Sequence, residues 1–387
     1  MQILFHRYFC IAMISIVILL PVGCGPRESS PFFKRNADDA RVLAVEMASA
    51  RERLLQDDLR GAFNGGSPKN VLVISGGDAN GAYGCGLLRG WRDAPGGRPV
   101  FDVVTGVSTG ALMATAIFLG ELDDEESLRM IYTEVEDSDI FTGPFTFGKP
   151  NSLLKTGPLK KLLEKHITRE LIHRVAIAHR SGRRLYVATV GLDQGRTIIW
   201  PLSRIAADAD AESGEAGLQK YRNILLAATA IPFIFPPVEI DGELHADAGL
   251  REGLFLRSWM LGQDSQATSR GTVYALVNGK LHLKPEAVGD HLVHIGSRSL
   301  DIYNEALLIF NLREVAHTAI THSPTFMFKY NAIPDRIDDG PGPGLFSPMF
   351  NPKITRELYK EGQKSGQLAK WSINIPMLDD DMQPQPK

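Results

Sequence analysis

The 387-residue chain reads as an α/β protein whose largely parallel sheet is covered on both faces. Three observations lead there. Short, continuously apolar runs such as 71–74 and 272–277 suit strands buried on both sides. Those runs alternate with longer stretches of helical periodicity. Finally, residues 101–119 read as a buried strand, a glycine-bounded turn and an apolar helix in immediate succession.

Composition narrows the function classes. With 44% hydrophobic and 22% charged residues the chain is ordinary for a globular enzyme and long enough to bury a large core. The formal net charge is −3, and no Lys/Arg block tracks an aromatic stripe, so no nucleic-acid partner is expected. Arg180, Arg183 and Arg184 are expected to decorate a helix end. No internal repeat is evident.

Taken in order, residues 1–24 form a separate unit. An almost purely apolar run at 9–22 follows Arg7 and as a helix spans only ~21 Å, short against a bilayer core of about 30 Å. A secretory signal is the expectation. The run ends at Leu20-Pro21-Val22-Gly23-Cys24, which is similar to a bacterial lipoprotein cleavage site with Cys24 as the lipid acceptor, although Pro21 stands where leucine is usual. Ordinary signal cleavage and an uncleaved anchor are the alternatives. The protein is therefore expected to be exported and anchored to a membrane, facing the periplasm or cell envelope. Residues 25–68 are read as a polar tether followed by a packed helix over 39–60, with Leu43, Met47, Ala50 and Leu54 on one face. Residues 69–280 are expected to form the main domain, and 281–387 a helical extension packed on it.

Within that domain the spacing predicts strands at 71–74, 101–105, 185–193, 197–200, 244–246 and 272–277. Helices are expected at 81–92, 111–119, 125–135, 158–166, 223–230, 297–322 and 355–370. The aromatic, glycine-rich connection carrying Phe141, Phe145 and Phe147 is either a lid or packing over the sheet, and 344–350 is either the rim of a cleft or, as the preferred reading, a buried connection. Cys85 is read as a small core residue, with no disulfide in the mature fold.

The chemistry concentrates at Gly106-Val107-Ser108-Thr109-Gly110. A serine hydroxyl is a weak nucleophile at neutral pH and needs a sharp turn to expose it and a base in reach. Gly106 and Gly110 supply room for the turn, and the helix that follows aims its positive end at the reacting carbonyl. The glycine-rich loop Ser75-Gly76-Gly77-Asp78-Ala79-Asn80-Gly81 lacks the Gly-Lys-Ser/Thr ending of a phosphate loop and the spacing of a dinucleotide fingerprint. Its backbone N–H groups suit an oxyanion instead. A Ser-Asp-His order is the competing arrangement, with His282, His291, His294, His317 and His322 downstream and none singled out, while His245 lies two residues before Asp247 on a strand. His-x-x-x-His and Cys-x-x-Cys spacings are absent, so no metal is expected, and no cofactor is expected either.

Gly76-Gly77-Asp78-Ala79-Asn80-Gly81, Gly106-Val107-Ser108-Thr109-Gly110, the stretch 227–238 and Asp247-Ala248-Gly249 together resemble, in that order, the patatin-like phospholipases. The resemblance covers residues 69–252 and reaches more loosely to 280. It implies a three-layer α/β/α sandwich and a serine lipid acyl hydrolase acting through a Ser108–Asp247 dyad and an acyl-enzyme. Gly76, Gly77 and Asp78 would form the oxyanion hole, supported by Asn80, Gly81, Gly106, Gly110 and Gly249. A phospholipid or other lipid ester is the implied substrate and a membrane surface the implied partner; oligomeric state is left open. Two departures stand out: Asp78 replaces the family's third glycine, and Asn80 its arginine. A carboxylate there would oppose a developing oxyanion unless turned away, so an envelope lipoprotein that binds lipid without catalysis is a second reading. Asp247 is expected on the floor of an apolar cleft, where burial raises its basicity.

Overall fold

Strand pairing organises the protein around one mixed sheet. The computed structural model describes residues 49, 51–59, 62–65, 68–143, 152–262, 271–322, 326–337 and 350–374, all within the unit 48–387. The strands are β1 (Asn70–Ile74), β2 (Val103–Gly106), β3 (Arg184–Gly191), β4 (Arg196–Pro201), β5 (Val238–Ile240), β6 (Glu243–Asp247), β7 (Gly271–Val277) and β8 (Phe326–Ala332). The order is β5-β6-β3-β2-β1-β7-β8, with β4 also paired to β3. From β3 to β8 along that order the neighbours run parallel, whereas β4, β5 and β6 make antiparallel pairs.

Helices cover the sheet: α1 (51–59), α2 (Gly81–Asp93), α3 (Thr109–Leu119), α4 (Leu122–Glu134), α5 (Gly157–His166), α6 (Arg169–Arg180), α7 (Leu202–Asp208), α8 (Gly214–Ala228), α9 (Leu292–His322) and α10 (Pro352–Gln367). Two cores result. Leu72, Ile74, Val104, Leu185 and Val187 pack with α2, α3, α8 and α10 on one face. Val71, Val73, Val103, Tyr186 and Ala188 pack on the other with Leu254, Phe255 and the α9 stripe Leu312, Val315, Ala316 and Ala319. Strand residues divide alternately between the faces, as the period of two requires, and both faces are apolar because both are covered. This is the α/β sandwich expected from the alternation.

Several local expectations need correction. The region after 281 is not only helical: Phe326–Ala332 adds an edge strand parallel to β7. Its signal was the alternation of Phe326 and Phe328 with Met327 and Lys329, the first pair buried and Met327 exposed. Helices α6 and α7 were not anticipated, and α8 begins nine residues earlier than expected. Of the three arginines, Arg180 does end a helix, but Arg184 is a buried residue at the start of β3. Arg183 donates to the carbonyls of Phe101 and Phe118, the latter in the last turn of α3, so it closes a helix that is remote in sequence.

The expected helix over 39–60 is helical across its described part, 51–59. Its Asp58 is buried, accepts from the Tyr186 hydroxyl at 2.7 Å and lies 3.3 Å from the Arg184 guanidinium. Arg51 pairs with buried Glu243 at the start of β6. One short helix thus fastens both β3 and β6. Cys85 is a buried free thiol, as its apolar neighbours suggested. Cys24, Phe145 and Phe147 lie outside the described residues. No helix among the described residues is long and apolar enough to cross a membrane.

Candidate active site

The turn after β2 places Ser108 at φ 53°, ψ −125°, a conformation that L-residues adopt only when the surroundings impose it. The neighbouring glycines make that turn possible. A Cβ on Gly106 would lie 2.4 Å from the Gly110 carbonyl oxygen, and one on Gly110 would lie 2.6 Å from the carbonyl oxygens of Ile74 and Ser75. Ser108 is 7% exposed, and α3 starts at the next residue. Beneath the turn the Tyr132 hydroxyl meets the Thr109 side chain and donates to the Thr109 carbonyl at 3.1 Å, bracing the first turn of α3 from α4.

Sheet register brings Asp247 to Ser108. Residues 184–187 of β3 pair with β2, residues 189–191 pair with β6, and β4 pairs with 186–191. Since β4 occupies one edge of β3, β2 and β6 share the other in succession. Where β2 leaves the sheet to make the serine turn, β6 takes its place, with Asp247 opposite Thr189. Asp247 is 4% exposed and accepts from the Gly249 N–H at 2.7 Å. Burial pushes its carboxyl up to about 7, opposed by hydrogen bonds from Ser108 and Gly249 and reinforced by the nearby Asp78 carboxylate. A group in that range is ionised in a substantial fraction at neutral pH and is a far better proton acceptor than a solvated carboxylate.

The loop after β1 lies against the same turn: a Cβ on Gly76 would come within 3.1 Å of the Ser108 Cβ. The Gly76 N–H, however, donates to the Gly253 carbonyl at 3.0 Å, so of the three expected oxyanion donors this one is already engaged. Gly77 (φ 144°) and Asp78 (φ 48°) follow in left-handed conformations, which turn the backbone toward α2. Asp78 thus takes a conformation suited to the glycine it replaces, which aspartate tolerates better than most residues. Its half-buried carboxyl is pushed up to about 6 by desolvation. Asn80 makes no side-chain cap on α2, and a Cβ on Gly81 would collide with the Tyr132 ring at 2.5 Å.

Asn278, just after β7, was not singled out by any sequence pattern. It is fully buried, its N–H donates to the Ser75 hydroxyl at 2.8 Å and its Nδ2 to the Ser75 carbonyl at 3.0 Å. Its own carbonyl fills the space a Gly77 side chain would need, 1.9 Å from an added Cβ. Asn278, Gly253 and Tyr132 hold the two loops in place, and only tertiary contact reveals them.

The histidines stand apart from this centre. His245 is buried, its Nδ1 lies 3.0 Å from the Thr189 hydroxyl, and burial lowers it to about 4, so it is neutral. Trp200 donates to the same hydroxyl and stacks edge-on against the imidazole. No histidine is among the groups acting on Asp247. His282 meets Asp335 and His291 meets His294 and Asp290, all on the surface. Among the described residues no group of three His, Cys, Asp or Glu is arranged to hold a metal ion.

Of the aromatic connection, Phe141 packs against Phe235 with ring centroids 5.7 Å apart, and Leu153 and Leu154 donate to the carbonyls of Phe233 and Ile234. Phe233 is 80% exposed at φ 69°, between these contacts and the strand that delivers Asp247.

A family model described as patatin-like phospholipase matches residues 72–258, a span holding the serine turn, the glycine-rich loop and Asp247. Among solved structures, VipD from Legionella pneumophila is similar at 10% identity and TM-score 0.38, covering 78% of this chain and 66% of that one. The chain thus spans just under two thirds of that neighbour. No curated protein matches.

Proposed function

We propose, for a chain whose residues 72–258 belong to the patatin-like phospholipase family, that Ser108 and Asp247 are the nucleophile and base of a lipid acyl hydrolase that needs no histidine. The observation carrying this reading is the register on β3 that sets buried Asp247 beside the serine turn, with its carboxyl raised to about 7 and the glycine-rich loop packed against the same turn.

In the first half-reaction Asp247 accepts the Ser108 proton while Oγ attacks the ester carbonyl. The carbonyl electrons move to oxygen, held by the N–H groups of Gly77 and Asp78 and by the positive end of α3. Collapse breaks the ester bond, and the departing alkoxide takes the proton from Asp247. In the second half-reaction water gives its proton to Asp247, attacks the acyl-serine, and releases the fatty acid as Ser108 regains its proton. A phospholipid or related lipid ester presented at a membrane surface is the proposed substrate. Cys24 as an acyl-anchored N-terminus would hold the domain there, and loss of palmitate labelling in Cys24→Ser is the expected outcome.

The central test combines labelling with turnover. A fluorophosphonate should add its mass at Ser108, and Ser108→Ala and Asp247→Asn should each lower hydrolysis of a short-chain chromogenic ester by at least about a thousandfold. Equal hydrolysis by wild type and both variants removes the enzyme reading. Loss of activity on substituting a downstream histidine, with Asp247→Asn still active, would replace the dyad by a triad.

A further inference from the structure

On the sheet face opposite α2 and α3, a cavity of about 770 Å³ opens between the start of β4, the segment 251–258 and the C-terminal half of α9. Its two sides differ in chemistry. Leu254, Phe255 and Leu256 are buried in its wall, and Phe310 on α9 stands 56% exposed. Arg196, Arg251 and Arg257 supply the charge. Arg257 is neutralised by Glu252, with two contacts at 2.8 Å. Arg251 donates to the Gly195 carbonyl at 3.1 Å, which brings it beside Arg196. Neither Arg196 nor Arg251 has a carboxylate partner among the described residues, and Glu314, which also lines the cavity, pairs with neither. The Thr197 hydroxyl in the same wall is buried without a hydrogen-bond partner.

Arg196 and Arg251, brought together by the Gly195 contact and paired with no carboxylate among the described residues, favour an anion, and guanidinium matches carboxylate or phosphate in a two-point contact. An inorganic anion would leave the apolar wall wet, and a neutral lipid would leave the arginines uncompensated. We propose that this cavity binds a long-chain amphiphile with an anionic head, a fatty carboxylate or a lipid phosphate. The head group meets Arg196 and Arg251, and the chain lies along Phe310 and Leu307 on α9. The volume falls in the range of small-molecule sites.

The cavity is wired to the reaction centre. Asn311 in its wall accepts from the Gly253 N–H at 2.8 Å, and the Gly253 carbonyl accepts from Gly76 in the oxyanion loop at 3.0 Å. One residue, Gly253, thus touches both places. This site goes beyond the hydrolase reading and stands without it, because binding is measured with no turnover.

The test is calorimetric titration of the full chain, below micelle-forming concentrations, with oleate, oleyl phosphate, oleyl alcohol and inorganic phosphate. At least one of the two anionic amphiphiles should saturate the site, their relative affinities identifying the head group. Oleyl alcohol and inorganic phosphate should each bind more than tenfold more weakly. The double variant R196A/R251A, altered only at exposed side chains, should lose more than tenfold for the anionic amphiphiles, and Phe310→Ala should weaken them severalfold without affecting inorganic phosphate. Binding of the anionic amphiphiles unchanged by R196A/R251A would locate them elsewhere and overturn the proposal, as would equal affinity for oleyl alcohol or the absence of saturable binding.

Discussion

Ser108 at φ 53° and the buried Asp247 both reduce stability in return for reactivity. A non-glycine residue in such a conformation costs on the order of 1–3 kcal/mol. Asp247 adds a pH-dependent cost. Its carboxyl is raised in the fold from 3.8 to about 7, so between those values the unfolded chain releases a proton that the native state keeps. Stability therefore falls as pH rises through that window, and the loss, on the order of 4 kcal/mol, is complete above about pH 7. Asp247→Asn removes it while keeping the acceptor for Gly249, so its stability advantage over wild type should grow by about 3 kcal/mol between pH 5 and pH 8 in urea denaturation. An advantage independent of pH would show that the carboxyl is not raised. Hydrolysis should show an acid limb near pH 7, since the base must be ionised. Asp78 raises Asp247, so Asp78→Asn should move that limb to lower pH; a limb that stays in place would show that the two carboxylates do not interact.

Among the elements, the pair α2 and α10 shows how close packing is encoded. A Cβ on Gly86 or Gly90 would lie 2.0 Å from the carbonyl oxygens of Tyr359 or Gln363 on α10. Reciprocally, Gly362 and Gly366 would meet Tyr83 and Leu87 of α2 at 2.1 and 2.0 Å. Each helix presents glycines four residues apart, so the two backbones touch. The glycine-rich character of 81–92 was visible in the sequence, but its partner was not, because the matching pair lies some 270 residues away. Gly362→Ala must separate the helices and should cost ~1–3 kcal/mol. Gly296→Ala, at an exposed position inside α9 where an added Cβ meets nothing within 4 Å, is the control and should be neutral or slightly stabilising. Equal urea midpoints for the two variants would remove this account. For β8 the local signal was present in the alternation of Phe326 and Phe328 with Met327 and Lys329, but only its pairing with β7 shows that it extends the sheet.

For the molecule as a whole, α1 is fastened to the sheet at the two strands nearest the candidate site. Asp58 meets Arg184 and Tyr186 on β3 while Arg51 meets Glu243 on β6, the two strands whose pairing aligns Asp247. Asp58→Ala leaves Arg184 buried without its counter-charge and should destabilise the fold by about 3–5 kcal/mol. Chemical denaturation measures this, and a loss below 1 kcal/mol would mean that the ion pair is replaceable by the carbonyl contacts Arg184 also makes.

By itself the sequence determined the class of fold and the strand-turn-helix around Ser108, because these depend on local periodicity and on residue types at short spacing, while Asp247 as a candidate base came from the resemblance of its ordered motifs to a known family. It also marked Asp78 as an unusual carboxylate in the loop. Only the tertiary structure decided that β6 follows β2 along one edge of β3, that Gly76 gives its N–H to Gly253, and that Asn278 and Tyr132 brace the two loops. It alone assembled Arg196, Arg251 and Phe310 around one cavity. The reason is physical: backbone propensity acts over a few residues, whereas register, burial and charge proximity arise when segments far apart in the chain exclude water together.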